Sequence, residues 1–131
     1  MNGKKILVVE DNLMNLELVS DLLAAHGYRV LQAQGGYEAL AVAAREQPDL
    51  ILTDLQLPEM DGLEATRLLK QNRNTRHIGV VALTAHAMRG DEERARAAGC
   101  SGYIAKPINT RKFVAVIAGF LSGATEKIEE R

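Results

Sequence analysis

Short apolar runs rich in β-branched residues alternate with longer segments whose apolar residues recur at helical spacing, from one end of the chain to the other. Ile6-Leu7-Val8-Val9 is a continuous apolar run, the pattern of a strand buried on both faces. Asn12 then offers a helix N-cap, and Leu16, Val19, Leu22 and Leu23 follow at helical spacing until Gly27 ends the segment. Tyr28 to Ala33 predicts a second strand. After Gly35-Gly36, an alanine-rich helix carrying Ala39, Leu40 and Ala43 runs to Pro48. Leu50-Ile51-Leu52 predicts a third strand ending at Thr53-Asp54, followed by a loop with Pro58 and Asp61-Gly62 and a helix through Leu63, Leu68 and Leu69. Val80-Val81-Ala82-Leu83 is the fourth strand, a helix through Glu92, Arg96 and Ala97 ends at Gly99, and Tyr103-Ile104-Ala105 is a short fifth strand. Asn109 caps the last helix. Ile108 is placed to staple onto Phe113, and Phe113, Val116, Ile117, Phe120 and Leu121 share one apolar face.

Five βα units with apolar strands predict an α/β domain: a parallel sheet covered by helices on both faces and linked by right-handed crossovers. Open sheets of this kind bind ligands outside the carboxyl ends of their strands, at the topological switch point. The residues just past the strands are therefore the informative ones. They are Glu10 and Asp11 after the first strand, Asp54 after the third, Thr84 after the fourth and Lys106 after the fifth, all polar or charged beside apolar strand interiors.

Crowded carboxylates repel: a pair about 4 Å apart costs roughly 1 kcal/mol in water and about 4 kcal/mol at an effective dielectric of 20. A cation relieves this, and hard carboxylate oxygens with no Cys or His among them favour Mg²⁺ or Mn²⁺ over zinc. Lys106 is a mobile point charge suited to a phosphoryl oxygen, and Thr84 can donate its hydroxyl to another. Holding a phosphoryl group through transfer needs mostly positioning and charge neutralisation, and an aspartate can be the nucleophile.

Composition narrows the class further. The 131 residues suit one domain, and 47% apolar with 25% charged residues is the balance of a globular fold with its own core. A net charge of −1 gives no general attraction to nucleic acid or anionic membranes. The single cysteine, Cys100, cannot close an internal disulfide and fits a reducing compartment. No apolar run is long enough to span a bilayer, and Met1 to Lys5 lacks the form of a signal peptide. A cytoplasmic protein is expected, with one domain over residues 1–122 and a short charged tail over 123–131.

Taken in order, Glu10-Asp11-Asn12, then Leu52-Thr53-Asp54-Leu55-Gln56-Leu57-Pro58-Glu59-Met60-Asp61-Gly62, then Leu83-Thr84-Ala85, then Tyr103-Ile104-Ala105-Lys106-Pro107 resemble the marks of the response-regulator receiver family of two-component signalling. The likeness covers about residues 3 to 122. The stretch Leu83 to Asp91 and the lack of an effector domain are similar to single-domain regulators of the DivK type. This resemblance implies a doubly wound, flavodoxin-like sheet of strand order 2-1-3-4-5. It implies Asp54 as phosphoacceptor, and Asp11 and Asp54 as direct Mg²⁺ ligands. Glu10 would act through a bound water and Gln56 through its backbone carbonyl. Lys106 would pair with the phosphoryl group, and Thr84 and Tyr103 would be the switch pair. It also implies a cis Lys106–Pro107 bond, a phosphohistidine donor on a histidine kinase or histidine phosphotransferase, and a downstream protein target docking on the face of helix four, strand five and helix five. Glu10 stands where an aspartate is often found, so a carboxylate is kept.

Single residues also have plainer roles. Asp11 before a helix can be a cap or dipole partner, and Asp54 before a loop a turn residue; their joint occurrence with Thr84 and Lys106 at one switch point favours the site. Asp61-Gly62 reads as a structural turn, Cys100 as a small core filler, and His26 and His77 as surface residues. His86 is expected beside the site, bordering with Gln56 the path of a hydrolytic water. A haloacid-dehalogenase-type phosphatase would want a second aspartate two residues after the nucleophile, where this chain has Gln56, an amide that transfers no proton at neutral pH. A flavodoxin-like cofactor binder would want a Ser-, Thr- or Gly-rich phosphate loop after the first strand, not Glu10-Asp11. A pseudo-receiver would lack acceptor, acid pair, threonine or lysine, and all are present. A receiver that is part of a hybrid histidine kinase or multidomain regulator remains the alternative context.

Overall fold

The computed structural model describes residues 3–84, 90–106 and 108–122. The Lys106–Pro107 bond, His86 and the segment from 123 to 131 lie outside the described residues. Strands and helices alternate strictly: β1 (Lys5–Val9), α1 (Leu13–Ala25), β2 (Arg29–Ala33), α2 (Gly36–Glu46), β3 (Leu50–Asp54), α3 (Gly62–Gln71), β4 (Gly79–Thr84), α4 (Asp91–Ala98), β5 (Gly102–Ala105) and α5 (Thr110–Leu121). The five strands form one parallel sheet in the order β2-β1-β3-β4-β5. The switch point therefore lies between β1 and β3, where the chain reverses its direction of progress through the sheet.

Alternation along each strand distributes apolar side chains between two cores. Ile6 and Val8 of β1, Leu50 and Leu52 of β3, Val81 and Leu83 of β4 and Ile104 of β5 pack with Leu16, Val19 and Leu23 of α1 and Phe113, Ile117 and Phe120 of α5. Leu7, Val9, Ile51, Val80, Ala82 and Tyr103 point the other way, to Ala39, Val42 and Ala43 of α2, Leu63 and Leu69 of α3, and Ala95 and Ala98 of α4. Burial on both faces is why the strands read as unbroken apolar runs. β2 differs. At one edge of the sheet and paired only with β1, it leaves Arg29–Gln32 exposed or half-buried, whereas β5 at the other edge is mostly buried.

Helix ends follow the predicted caps. Asn12 accepts from the Asn15 amide at 3.0 Å, and Asn109 from the amides of Arg111 and Lys112. Asp61, read from sequence as part of a turn, is more specific than that: its carboxylate accepts from the Glu64 amide at 2.8 Å and caps α3. Beside it, Gly62 has a geometric task. A Cβ built there would lie 2.3 Å from the Asp54 carbonyl oxygen, so only a bare Cα lets α3 start against the end of β3. The Gly62 amide donates to the Leu55 carbonyl at 2.9 Å, which fixes the loop after Asp54.

Gly62→Ala is expected to destabilise the fold by roughly 3 kcal/mol, because the obstacle is backbone and cannot rotate away. Gly119→Ala, in α5 with open space where the Cβ would go, is expected to stabilise by about 0.5–1 kcal/mol. Urea unfolding of the two variants should therefore shift the midpoint in opposite directions; a shared sign would refute the steric assignment at Gly62.

Candidate functional site

The parallel register brings the strand ends level. Thr53 of β3 pairs with Val9 of β1, Asp54 with Leu83 of β4, and Thr84 with Ala105 of β5. Glu10, Asp11, Asp54, Thr84 and Lys106 thus emerge along one edge, as the sequence predicts. The backbone continues the sheet slightly past the strands: Glu10 N donates to Ala33 O, Leu55 N to Leu83 O and Lys106 N to Thr84 O. Glu10, Thr84 and Lys106 are consequently held by main chain before their side chains do anything, and Asp54 is followed by a fixed amide.

Lys106 is the centre of the arrangement. Its Nζ donates to Glu10 Oε1 at 2.9 Å and to Asp54 Oδ2 at 3.0 Å. Glu10, only 2% exposed, uses its other oxygen, Oε2, to accept from the Asn12 amide at 3.1 Å. Asp54, 7% exposed, uses Oδ1 to accept from the Gln56 amide at 3.0 Å. Asp11 is exposed at the rim. One carboxylate oxygen each from Glu10, Asp11 and Asp54 lie within 4.8 Å of one another.

Two buried carboxylates share one ammonium, and burial weighs on the protonation of both Glu10 and Lys106. Burial pushes the Glu10 carboxyl above its ordinary range, the Asp54 charge adds to this, and the hydrogen bonds from Lys106 and Asn12 only partly offset it. For Lys106, burial by itself pulls downward, but the bonds to Glu10 and Asp54 outweigh it and raise the ammonium above the usual lysine range. The lysine gains from both partners; neither carboxylate has it to itself. The donor set beside it is three hard oxygens with no nitrogen or sulfur, which suits a hard divalent cation such as Mg²⁺. Such an ion would meet least competition at the exposed Asp11, since both oxygens of Glu10 and both of Asp54 already have protein donors.

Thr84 is 4% exposed at the end of β4, and Tyr103 is buried in the apolar layer with Ala95 and Ala98. Gln56 exposes its side chain next to the site. Two contributors had no sequence signal, since both act through backbone: the Asn12 and Gln56 amides that fix Glu10 and Asp54. His26 and His77 are exposed and Cys100 is buried, as expected.

Comparison with known proteins agrees with this geometry. Residues 6–118 match the family model for the response regulator receiver domain. The chain is 49% identical over 121 residues to the polar-differentiation response regulator DivK of Brucella ovis, covering 92% of this chain and 98% of that protein. DivK of Brucella anthropi matches to the same extent, 49% over 121 residues. Among solved structures, the receiver domain of a sensor histidine kinase from Pseudomonas aeruginosa, with a magnesium ion coordinated in its active-site cleft, superposes with a TM-score of 0.86 at 36% identity, covering 93% of this chain and all of that one. The chemotaxis response regulator CheY4 of Vibrio cholerae gives a TM-score of 0.84 at 27% identity, covering 89% of this chain and 98% of that one.

Lys106→Met is expected to destabilise the metal-free protein by about 1.5–3 kcal/mol, the range for hydrogen bonds to charged groups. A raised folded-state value means that the lysine's contribution is complete below the ordinary lysine range and is lost only as pH rises through the raised value. Urea unfolding in EDTA should show the same gap at pH 7 and pH 9. Equal stability of variant and parent at both would place these bonds with weak surface pairs.

Proposed function

The chain belongs to the response regulator receiver family, and from this premise we propose that it is a phosphorylation switch in which Asp54 accepts a phosphoryl group and the resulting state alters affinity for a protein partner. The observation that carries the reading is Asp54 itself. It is anchored by the Gln56 amide and Lys106 at the switch point, with two further carboxylates within reach.

The donor would be a phosphohistidine on a histidine kinase or histidine phosphotransferase. An Asp54 carboxylate oxygen attacks phosphorus, the P–N bond breaks with its electron pair returning to the donor imidazole, and an acyl phosphate forms. Lys106 turns part of its charge from Glu10 towards the incoming phosphoryl oxygens, and the Thr84 hydroxyl donates to another. Mg²⁺ bound by Asp11 and Asp54, with the Gln56 carbonyl and a water held by Glu10, would neutralise charge on the phosphoryl group; Mn²⁺ suits the same donors. Attack by water at phosphorus breaks the P–O bond, releases inorganic phosphate and restores the carboxylate, so the signal is temporary.

Leu13 and Met14, 61% and 80% exposed, follow the site residues of β1, and half-buried Ile108 follows Lys106, apolar residues that a helical donor domain can cover. Pro107, expected among them, is outside the described residues. Output would use α4, β5 and α5, with Thr84 drawn to the phosphoryl group and Tyr103 taking the vacated space. This shifts a two-state equilibrium by the differential interaction of the phosphoryl group with the two states. α4 suits such movement, because only alanines, Ala95 and Ala98, anchor it among its described residues.

No helix among the described residues is long and apolar enough to cross a membrane. A cytoplasmic location is part of the proposal, as is a receiver over residues 1–122 with an accessory tail over 123–131. The greater identity to DivK, 49% against 36% for the kinase receiver, favours the single-domain regulator over a module of a hybrid kinase.

Asp54→Asn should abolish phosphorylation while the fold survives. Mass spectrometry after acetyl phosphate and Mg²⁺ reads this directly; normal labelling of the variant would put the acceptor elsewhere, and normal labelling of the parent in EDTA would remove the metal from the mechanism. In a Mg²⁺ titration, Asp11→Ala should weaken binding more than Glu10→Ala, because both Glu10 oxygens already have donors. The reverse order would make Glu10 the principal ligand.

A further inference from the structure

The opposite end of the sheet carries a concentration of positive charge that phosphoryl transfer does not use. Between Glu64 and Asp91 the sequence contains no acidic residue, in a chain whose net charge is −1. Within that stretch the connection from α3 to β4 exposes Arg73, Arg76 and His77. Their side chains make no ion pair or hydrogen bond among the described residues, unlike Arg67, Arg94 and Arg96, which pair with acids on their own helices.

The connection is built to hold its shape. Asn72 Oδ1 accepts from Asn74 N at 2.8 Å, the amides of Thr75 and Arg76 donate to Asn72 O, and Ile78 N donates to Thr75 O. The buried Thr75 hydroxyl donates to Leu69 O at 2.7 Å. Lys70 Nζ donates to the carbonyls of Ile78 at 2.6 Å and Arg76 at 3.1 Å, with its stem against Gly99, where even a Cβ would come within 2.7 Å of Lys70 Cγ. From α2, Gln47 takes a left-handed conformation at φ 50° and sends Nε2 to Asn74 O at 3.0 Å. An ammonium and an amide side chain are thus committed to fixing a loop remote from the chemistry. Fixed backbone reduces the ordering cost of binding for the side chains it displays.

We propose that Arg73, Arg76 and His77 form a docking surface for a carboxylate-rich segment of a protein partner, engaged whether or not Asp54 is phosphorylated. Planar guanidinium forks pair bidentately with carboxylates, and two arginines three residues apart on a fixed turn can meet neighbouring acids on a helix or loop. The patch is small. Across the Gln47–Asn74 bond, α2 ends in Arg45 and Glu46, which pair with each other at 3.2 Å and add no net charge to the patch. A nucleic acid whose binding rests on six to ten phosphate contacts would overrun it. Phosphorylation independence follows from distance, because the patch lies at the amino end of β4 and Thr84 at its carboxyl end, about 17 Å away at a strand's rise per residue. That exceeds the screening length of about 8 Å at physiological ionic strength.

Fluorescence anisotropy of a labelled oligoglutamate peptide with the full chain tests this. Saturable, salt-sensitive binding is expected, weakened at least tenfold in Arg73→Glu/Arg76→Glu and changed less than twofold in Arg111→Glu/Lys112→Glu, a comparable exposed pair on α5. Affinity should be the same with and without acetyl phosphate and Mg²⁺, and amide shifts should centre on residues 72–78. Urea unfolding confirms that both double variants are folded. Absence of saturable binding, equal loss in the α5 pair, or tighter binding to duplex DNA or phosphatidylserine vesicles than to the peptide would overturn the proposal. Since Asp54 labelling by acetyl phosphate is read separately, its failure would leave this result standing.

Discussion

One ammonium serving two buried carboxylates is the interaction on which the carboxyl end of this sheet depends. Without Lys106, Glu10 and Asp54 would face each other in a poorly solvated cleft with the Asn12 and Gln56 amides as donors. With it, the repulsion is partly cancelled; the Glu10 carboxyl is still raised, chiefly by burial, with a smaller contribution from the Asp54 charge. A buried ion pair of this kind is not in itself a source of stability, because desolvation takes back much of the Coulombic gain. Its value is that the cleft stays short of positive charge, and such a cleft is ready for a divalent cation. A charge-balanced cleft would be more stable and less useful.

That tension requires a scaffold that does not relax. Lys106 leaves the sheet one residue beyond β5, and its backbone amide is bonded to Thr84 O at 2.7 Å. Asp54 ends β3, which is buried along its whole length. Gly62 presses α3 onto the Asp54 carbonyl from outside. The strain of like charges is thereby carried by the two cores, whose large side chains each contribute roughly 1.5–3 kcal/mol on burial. The same accounting explains where the molecule can yield. α5 is held by Phe113, Ile117 and Phe120, whereas α4 is held by two methyl-sized side chains, so a change in charge at Asp54 is more readily accommodated by moving α4.

The parallel sheet and the acidic, threonine and lysine positions were legible in the sequence because both depend on side-chain type at a fixed period. Strands buried on both faces announce themselves as unbroken runs, and the residue after each run is at the sheet's edge by construction. Two kinds of feature were not legible. Backbone donors carry no side-chain signature, so the Asn12 and Gln56 amides that aim Glu10 and Asp54 could only be seen in three dimensions. Long-range side-chain to backbone bonds are equally silent. Lys70 reads as an ordinary helix-surface lysine, yet its ammonium is drawn inward to two carbonyls, where burial lowers its pKa. Asp61 was readable as a turn but not as the cap of α3, since choosing between those roles depends on where Glu64 N points.

A parallel βα fold separates two kinds of loop by necessity, with βα loops at the carboxyl edge and αβ loops at the amino edge. In this chain the two edges differ in charge as well as in task. The carboxyl edge carries Glu10, Asp11, Asp54 and Asp61, and the connection from α3 to β4 at the amino edge carries Lys70, Arg73, Arg76 and His77. Net charge near zero conceals this polarity, because it is a sum over a molecule whose two ends have opposite signs. The polarity has a kinetic consequence: an approaching group feels the nearer edge most, since charges beyond about 8 Å are largely screened at physiological ionic strength. On the proposed function, a phosphorylated donor would be repelled by the carboxyl edge until a cation is bound there, so metal loading would tune the encounter as well as the chemistry. An acidic segment docked at the amino edge, as proposed, would leave Asp54 open to its donor.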